Sequence, residues 1–132
     1  MKNKSKFLQI LLISVLILFF CNSSNAQSKI IGNSIKIGSL EVAQHDFPES
    51  LSWENAEKAC AHLGSGWRLP SRSELNFLYQ KQDQIGGFRR WFYWSSTQTD
   101  ETAWMRSFGS WSNQFSGKWA ENYVRAVRDR NF

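Results

Sequence analysis

The stretch Gly66-Trp67-Arg68-Leu69-Pro70-Ser71-Arg72-Ser73-Glu74-Leu75 decides how this 132-residue chain is read. Pro70 disfavours helix at Leu69 and removes a backbone donor, so residues 66–70 form a turn. Ser71 and Glu74 match the capping box, in which a hydroxyl and a carboxylate three residues apart each satisfy a free N–H of the first helical turn. A helix therefore starts directly after the turn, with Leu75, Leu78 and Tyr79 facing inward, and Gly86-Gly87 closes the unit. Upstream, Ser52 stands at a helix N-cap position. Trp53, Ala56, Cys60 and Leu63 follow at spacings of 3, 4 and 3, which put all four on one helical face before Gly64 ends it.

Around these two helices the pattern changes. Residues 29–42 hold short apolar groups broken by Gly32 and Gly38, with Ile35 and Ile37 alternating against Ser34 and Lys36, and read as one or two short strands. Residues 43–51, with Asp46, Pro48 and Ser50, read as a loop. Beyond Gly87 no helical pattern recurs. Residues 91–97, 103–108, 111–115 and 123–128 are aromatic or β-branched runs between polar, glycine-containing turns, which predicts an antiparallel sheet in the second half and an α+β domain.

Three blocks carry a resemblance to a known family: the Gly66-Trp67-Arg68-Leu69-Pro70 turn, Tyr93-Trp94-Ser95-Ser96-Thr97, and Val124-Arg125-Ala126-Val127-Arg128. From about Ile35 onward the chain resembles the Lcl C-terminal domain family, also called the Fibrobacter succinogenes major paralogous domain. The resemblance implies a C-type-lectin-like fold, with two N-terminal helices packed on a small twisted antiparallel sheet and irregular loops carrying the ligand site. It also implies adhesion to sulfated polysaccharides through basic side chains, for which the candidates are Arg89, Arg90, Arg106 and Lys118.

The N-terminus reads as an export signal. Lys2, Lys4 and Lys6 precede a fourteen-residue apolar run over residues 7–20, and Ser24-Asn25-Ala26 follows as a small-residue cleavage site. The run is shorter than the roughly 20 residues a spanning helix needs. The expected organisation is a signal peptide over residues 1–26 and a single domain over 27–132, secreted, periplasmic or at the cell surface, with no transmembrane helix after processing. Lipidation at Cys21 is the rival, disfavoured because Phe20 stands where a lipoprotein signal has a small residue. Processing removes three lysines, so the formal charge of +5 falls to 13 basic against 11 acidic side chains. That balance, with export, opposes nucleic acid as a partner. Residues 89–132 keep 7 basic and 4 acidic groups, so attraction for acidic chains should come from this part.

Catalytic and metal chemistry find little support. Cys60 and His62 lie two residues apart on a helix, about 200° around its axis, so they point to opposite sides. Cys60 belongs to the apolar face and reads as an inert thiol, and His45 sits in a separate loop. Formylglycine-generating oxidases resemble the wider architecture but work with a cysteine pair, and processing leaves Cys60 alone. Two separated histidines and one cysteine make no zinc set. The Glu-Pro-Asn or Gln-Pro-Asp loop and Trp-Asn-Asp strand of calcium-dependent lectins are missing: Trp94-Ser95-Ser96 stands in that strand, with Asp100 and Glu101 in the next turn. No enzyme activity, cofactor or metal is expected. Trp67, Arg68 and Pro70 read as structural, with Arg68 bonding backbone carbonyls. Arg125 and Arg128, an odd step apart in a strand, should face opposite ways, one bracing the interior and one meeting solvent.

The working surface is expected in the hairpin region, in the loops between residues 97 and 122. Trp104, Arg106 and Phe108 alternate on one face, against Ala103, Met105 and Ser107 on the other. The small residues suit a packed face, which leaves Trp104 and Arg106 exposed. With Trp111, Asn113, Gln114, Lys118 and Trp119 in the adjoining segments, they offer aromatic platforms and hydrogen-bond donors for sugar rings and acidic groups. The chain thus reads as an exported, non-enzymatic binding or adhesion module for polysaccharide or another surface ligand. The alternative is a structural or assembly subunit that uses the same aromatic surface as a protein interface, possible as an oligomer.

Overall fold

The structure, a computed structural model, describes residues 2–131, apart from the side chains of residue 2 and residues 19–23. In chain order the elements are α1 (Lys2–Ile31), β1 (Ile35–Ile37), β2 (Leu40–Val42), α2 (Trp53–His62), α3 (Arg72–Gln80), α4 (Gln82–Ile85), β3 (Phe92–Gln98), β4 (Thr102–Ser107), β5 (Asn113–Gly117) and β6 (Val127–Asp129). The strands form two three-stranded antiparallel sheets, β1-β2-β6 and β3-β4-β5. Among the described residues no helix is long and apolar enough to cross a membrane.

Local signals produce the helices as expected. Trp53, Ala56, Cys60 and Leu63 are all buried along α2. Ser52 occupies the N-cap with extended backbone, although its side chain makes no capping bond. The capping box of α3 is complete: Ser71 Oγ accepts the Glu74 N–H, and Glu74 accepts the Ser71 N–H at 2.7 Å. Preceding it, Arg68 and Val127 exchange backbone hydrogen bonds, and the Ser96 N–H donates to Pro70 O. The turn is thus fastened to both sheets.

Two expectations are corrected. Residues 29–31, read as strand, finish α1, because the Ile30 and Ile31 carbonyls, left without helical partners, accept the His45 and Gln44 N–H groups. Gly32, at φ 51°, then turns the chain into the β1–β2 hairpin. Residues 123–128 do not extend the sheet of the second half. Tyr123 makes one parallel bridge to Tyr93, and the chain then crosses to pair β6 with β2, Val127 opposite Val42 and Arg128 opposite Glu41. The Arg128–Glu41 ion pair, at 2.7 Å, holds that register.

The β3-β4-β5 sheet is covered on both faces. Trp94 and Met105, opposite each other, join Ala103 in a cluster with Trp53, Ala56 and Cys60 of α2. Tyr93 on the other face joins Phe108 in a cluster with Leu75 and Leu78 of α3 and with Leu40, Val42 and Val127 of the first sheet. Beside Phe88 of the second cluster lies Arg125, whose side chain is fully buried. Its Nε donates to Asp46 Oδ1 at 2.7 Å, Nη1 and Nη2 donate to Gly86 O and Gly87 O, and its guanidinium lies 4.1 Å from the Phe88 ring centroid. Asp46 Oδ2 accepts the Tyr93 hydroxyl at 2.6 Å. Arg128, by contrast, keeps 27% of its side chain exposed; of the two only Arg128 lies in a strand, β6, so the alternation expected to set them on opposite faces does not extend to Arg125.

Two consequences are measurable. Asp46→Ala strips the counterion from a fully buried guanidinium and should lower unfolding stability by roughly 3–5 kcal/mol in denaturant titration. A cost below about 1 kcal/mol, the value of a surface pair, would contradict this role. Acid should also weaken the fold. Hydrogen bonds from Arg128 and Ser34 hold the Glu41 carboxyl below its ordinary value of 4.5. Burial pushes Glu74 up, but Arg68 and the Ser71 backbone outweigh it and leave Glu74 lowered too. A depressed folded-state value stabilises above the ordinary value and is lost as pH falls through the lowered one. Melting temperature should therefore begin to fall below pH 4.5, less steeply in Glu41→Gln; parallel profiles for the two proteins would refute the assignment.

Candidate functional site

The expected surface divides into one covered and two open parts. Trp104 and Arg106 are not exposed: they retain 6% and 7% of their surface. The alternation along β4 is as read, but the face carrying them packs against α3. Arg72, Asn76 and Tyr79, spaced by four and three, form a second face of that helix laid over β4. The Arg72 guanidinium sits 3.6 Å from the Trp104 ring centroid, and Phe115 closes the ring's edge at 5.2 Å. Arg106 stacks on Tyr79 at 3.9 Å and donates from Nη1 to Asn76 Oδ1 at 2.8 Å. A polar helix face conceals burial by cation–π and amide contacts, so hydrophobic periodicity alone could not reveal it.

The first open part is a groove of about 500 Å³ lined by Asn76, Tyr79, Gln80, Gln82, Arg106 and Trp111. Trp111 stands in the β4–β5 turn, 82% exposed, edge-on to Tyr79 at 5.8 Å. Asn113, paired with Arg106 across the sheet, donates from its side chain to Trp111 O. The sequence reading had Arg106, Trp111 and Asn113 here but missed Asn76, Gln80 and Gln82. The signal for Asn76 was its helical spacing from Arg72 and Tyr79.

The second part, of about 260 Å³, is lined by Ser52, Glu54, Lys118 and Trp119. Trp119 is 85% exposed and lies against Gly117, where a Cβ would collide with the indole. Lys118 is engaged: its ammonium donates to Gln98 Oε1 at 2.7 Å and Asp100 O at 3.0 Å and lies 4.6 Å from the Trp53 ring. The three residues between Asn113 and Gly117 separate this part from the first, so the expected residues do not form one site. Of the other basic candidates, Arg89 lies 4.7 Å from the Tyr123 ring and Arg90 is exposed beside Gly109. Gln114 and Phe115 on the outer strand β5 are exposed, as is Trp91, which the sequence reading did not single out.

The reactive side chains are placed otherwise. Cys60 is fully buried, and burial, helped by Glu57, pushes its thiol up to about 12. His62 and His45 are exposed. Burial and then Asp46 push the Tyr93 hydroxyl up, and that hydroxyl accepts the Arg89 N–H. Arg68 forms a fork with Glu74 and a bond to Asp129, besides a 3.3 Å bond to Leu69 O; its role is structural, with carboxylates rather than carbonyls as chief partners. Among the described residues no three His, Cys, Asp or Glu side chains gather to hold a metal ion.

Helices flanking small antiparallel sheets, with irregular segments over residues 108–112 and 118–121, define a C-type-lectin-like domain. Solved structures of that class align with it. Botrocetin matches with a TM-score of 0.53 and 11% identity over 74% of this chain and 97% of its own, and matches equally in its complex with a von Willebrand factor A1 domain mutant. EMS16, an antagonist of the collagen receptor integrin alpha2beta1, matches with 0.51 and 12% over 72% and 95%. Identities this low establish the fold alone. The family is set by the sequence: the Lcl C-terminal domain model matches residues 23–128, and the chain belongs to that family. No curated protein matches it.

Cys60 provides a test of the packing. A maleimide reagent should leave Cys60 of the native protein unlabelled at pH 8 over hours and label it within minutes in denaturant, because a buried thiol near 12 offers almost no thiolate. Fast native labelling would contradict the burial.

Proposed function

We propose that this protein is an exported, non-enzymatic binding and adhesion module that takes polysaccharide or another surface ligand on its C-terminal aromatic surface. The observation that carries the reading is Trp111, 82% exposed beside a groove that Arg106, Tyr79 and three amides line. A free indole face with amide donors and acceptors close by matches a sugar ring, whose C–H face stacks and whose hydroxyls hydrogen-bond. Trp119 supplies a second platform beside Glu54 and Ser52. The family resemblance to adhesive domains points the same way, and the fold in botrocetin accompanies a protein ligand, the A1 domain.

Export is part of the proposal: residues 1–26 are a signal peptide and the working domain is 27–132, located outside the cytoplasm. The apolar side chains from Phe7 to Leu18 each lie more than half exposed, which supports their not belonging to the domain core. Ile30 and Ile31, beyond the cleavage site, pack on the α2 cluster.

The open edge of β5 favours a second reading. Residues 110–117 carry no charge, and β5 pairs on one side only. Edge strands of this kind pair with other chains, which would make the domain an assembly subunit. A glycan array probed with the exported protein at low and physiological salt separates the two. The module reading expects binding that falls by about tenfold or more in Trp111→Ala or Trp119→Ala. Silence of the folded protein on every glycan, together with concentration-dependent oligomers, would replace it with the assembly reading.

A further inference from the structure

Arg106 has a charge environment unlike the other arginines packed into the domain. Arg68 meets Glu74 and Asp129, Arg125 meets Asp46, and Arg128 meets Glu41. Arg106 is 7% exposed, yet no carboxylate pairs with it among the described residues. Its Nη1 bond to Asn76 and its stacking on Tyr79 are its partners, and its Nε is buried with none. A guanidinium cannot shed its proton to escape burial, and a neutral amide does not supply the counter-charge that desolvation calls for. The groove it lines contains no acid and no second base: the other walls are Asn76, Tyr79, Gln80, Gln82 and Trp111.

We propose that this groove is a subsite for one carboxylate carried on a sugar ring, a hexuronic acid, with Arg106 as its anchor. The inference rests on the module reading above and gives that module its ligand class. One cation in the groove matches one anionic group, and a planar guanidinium matches a planar carboxylate. A densely sulfated chain is served by a row of cations; Arg72 and Arg89 are instead laid over Trp104 and Tyr123, and neither lines the groove. Trp111 offers the ring a stacking face, and the amides of Asn76, Gln80 and Gln82 offer its hydroxyls both donors and acceptors. The volume of about 500 Å³ falls within the range of small-ligand sites, roughly 300–1,000 Å³.

Asn76→Asp tests this directly, because it sets a carboxylate 2.8 Å from the Arg106 guanidinium and builds the missing counterion into the protein. Wild type, Asn76→Asp, Arg106→Gln and Trp111→Ala would be titrated calorimetrically with trigalacturonate, neutral galactotriose and a sulfated galactotriose lacking carboxylates, at one ionic strength. Wild type should bind trigalacturonate more than about tenfold tighter than either other trimer. Asn76→Asp and Arg106→Gln should abolish that preference, Asn76→Asp while melting higher than wild type, and Trp111→Ala should weaken all binding. Retention of the preference by Asn76→Asp would overturn the inference, as would equal binding of the sulfated or the neutral trimer; either leaves the module reading intact. Absence of binding to all three trimers also overturns it, and the module reading is then decided on the wider array.

Discussion

The arrangement depends on one buried charge pair. Arg125 comes from the segment before β6, Asp46 from the loop before α2, Gly86 and Gly87 from the end of α4, and Tyr93 from β3; one guanidinium and one carboxylate gather all four. Every guanidinium nitrogen has an acceptor, so the desolvation of the pair is met by its own geometry. Among the described residues Cys60 is a free thiol, and packing and polar networks of this kind hold them together without a covalent bridge.

From that anchor follows the two-sided burial of the β3-β4-β5 sheet. Tyr93, held at its hydroxyl by Asp46, carries β3 against the α3 cluster, and Trp94, the next residue, faces α2. The sheet lies between the two helices, and α3 uses two faces at once. Leu75 and Leu78 enter the core, while Arg72, Asn76 and Tyr79 lie over β4. That second face closes over Trp104 and leaves Arg106 lining an open groove, so the candidate site is a product of helix placement as much as of loop composition.

The parts of this that the sequence discloses are those set by neighbours in the chain. The capping box at Ser71 and Glu74, the buried stripe from Trp53 to Leu63 and the alternation in β4 all arise within a few residues. The family too was legible, through the turn at Gly66–Pro70. What stayed hidden required distant partners. Nothing local in residues 127–129 says that they pair with β2, and nothing near Trp104 says that an arginine of α3, far away in sequence, will lie on its ring. The small residues Ala103, Met105 and Ser107 suggested one packed face; polar cover on the other face has no hydrophobic signature.

The pairing of β6 with β2 gives the domain a timetable. Glu41 and Arg128 are 87 positions apart and Asp46 and Arg125 are 79 apart, so both ion pairs await nearly the whole chain. Contacts of such long range form late, after the cost of closing a large loop. A chain threaded end-first through a narrow pore would present no finished core until its last strand had passed, and would complete its fold only on the far side.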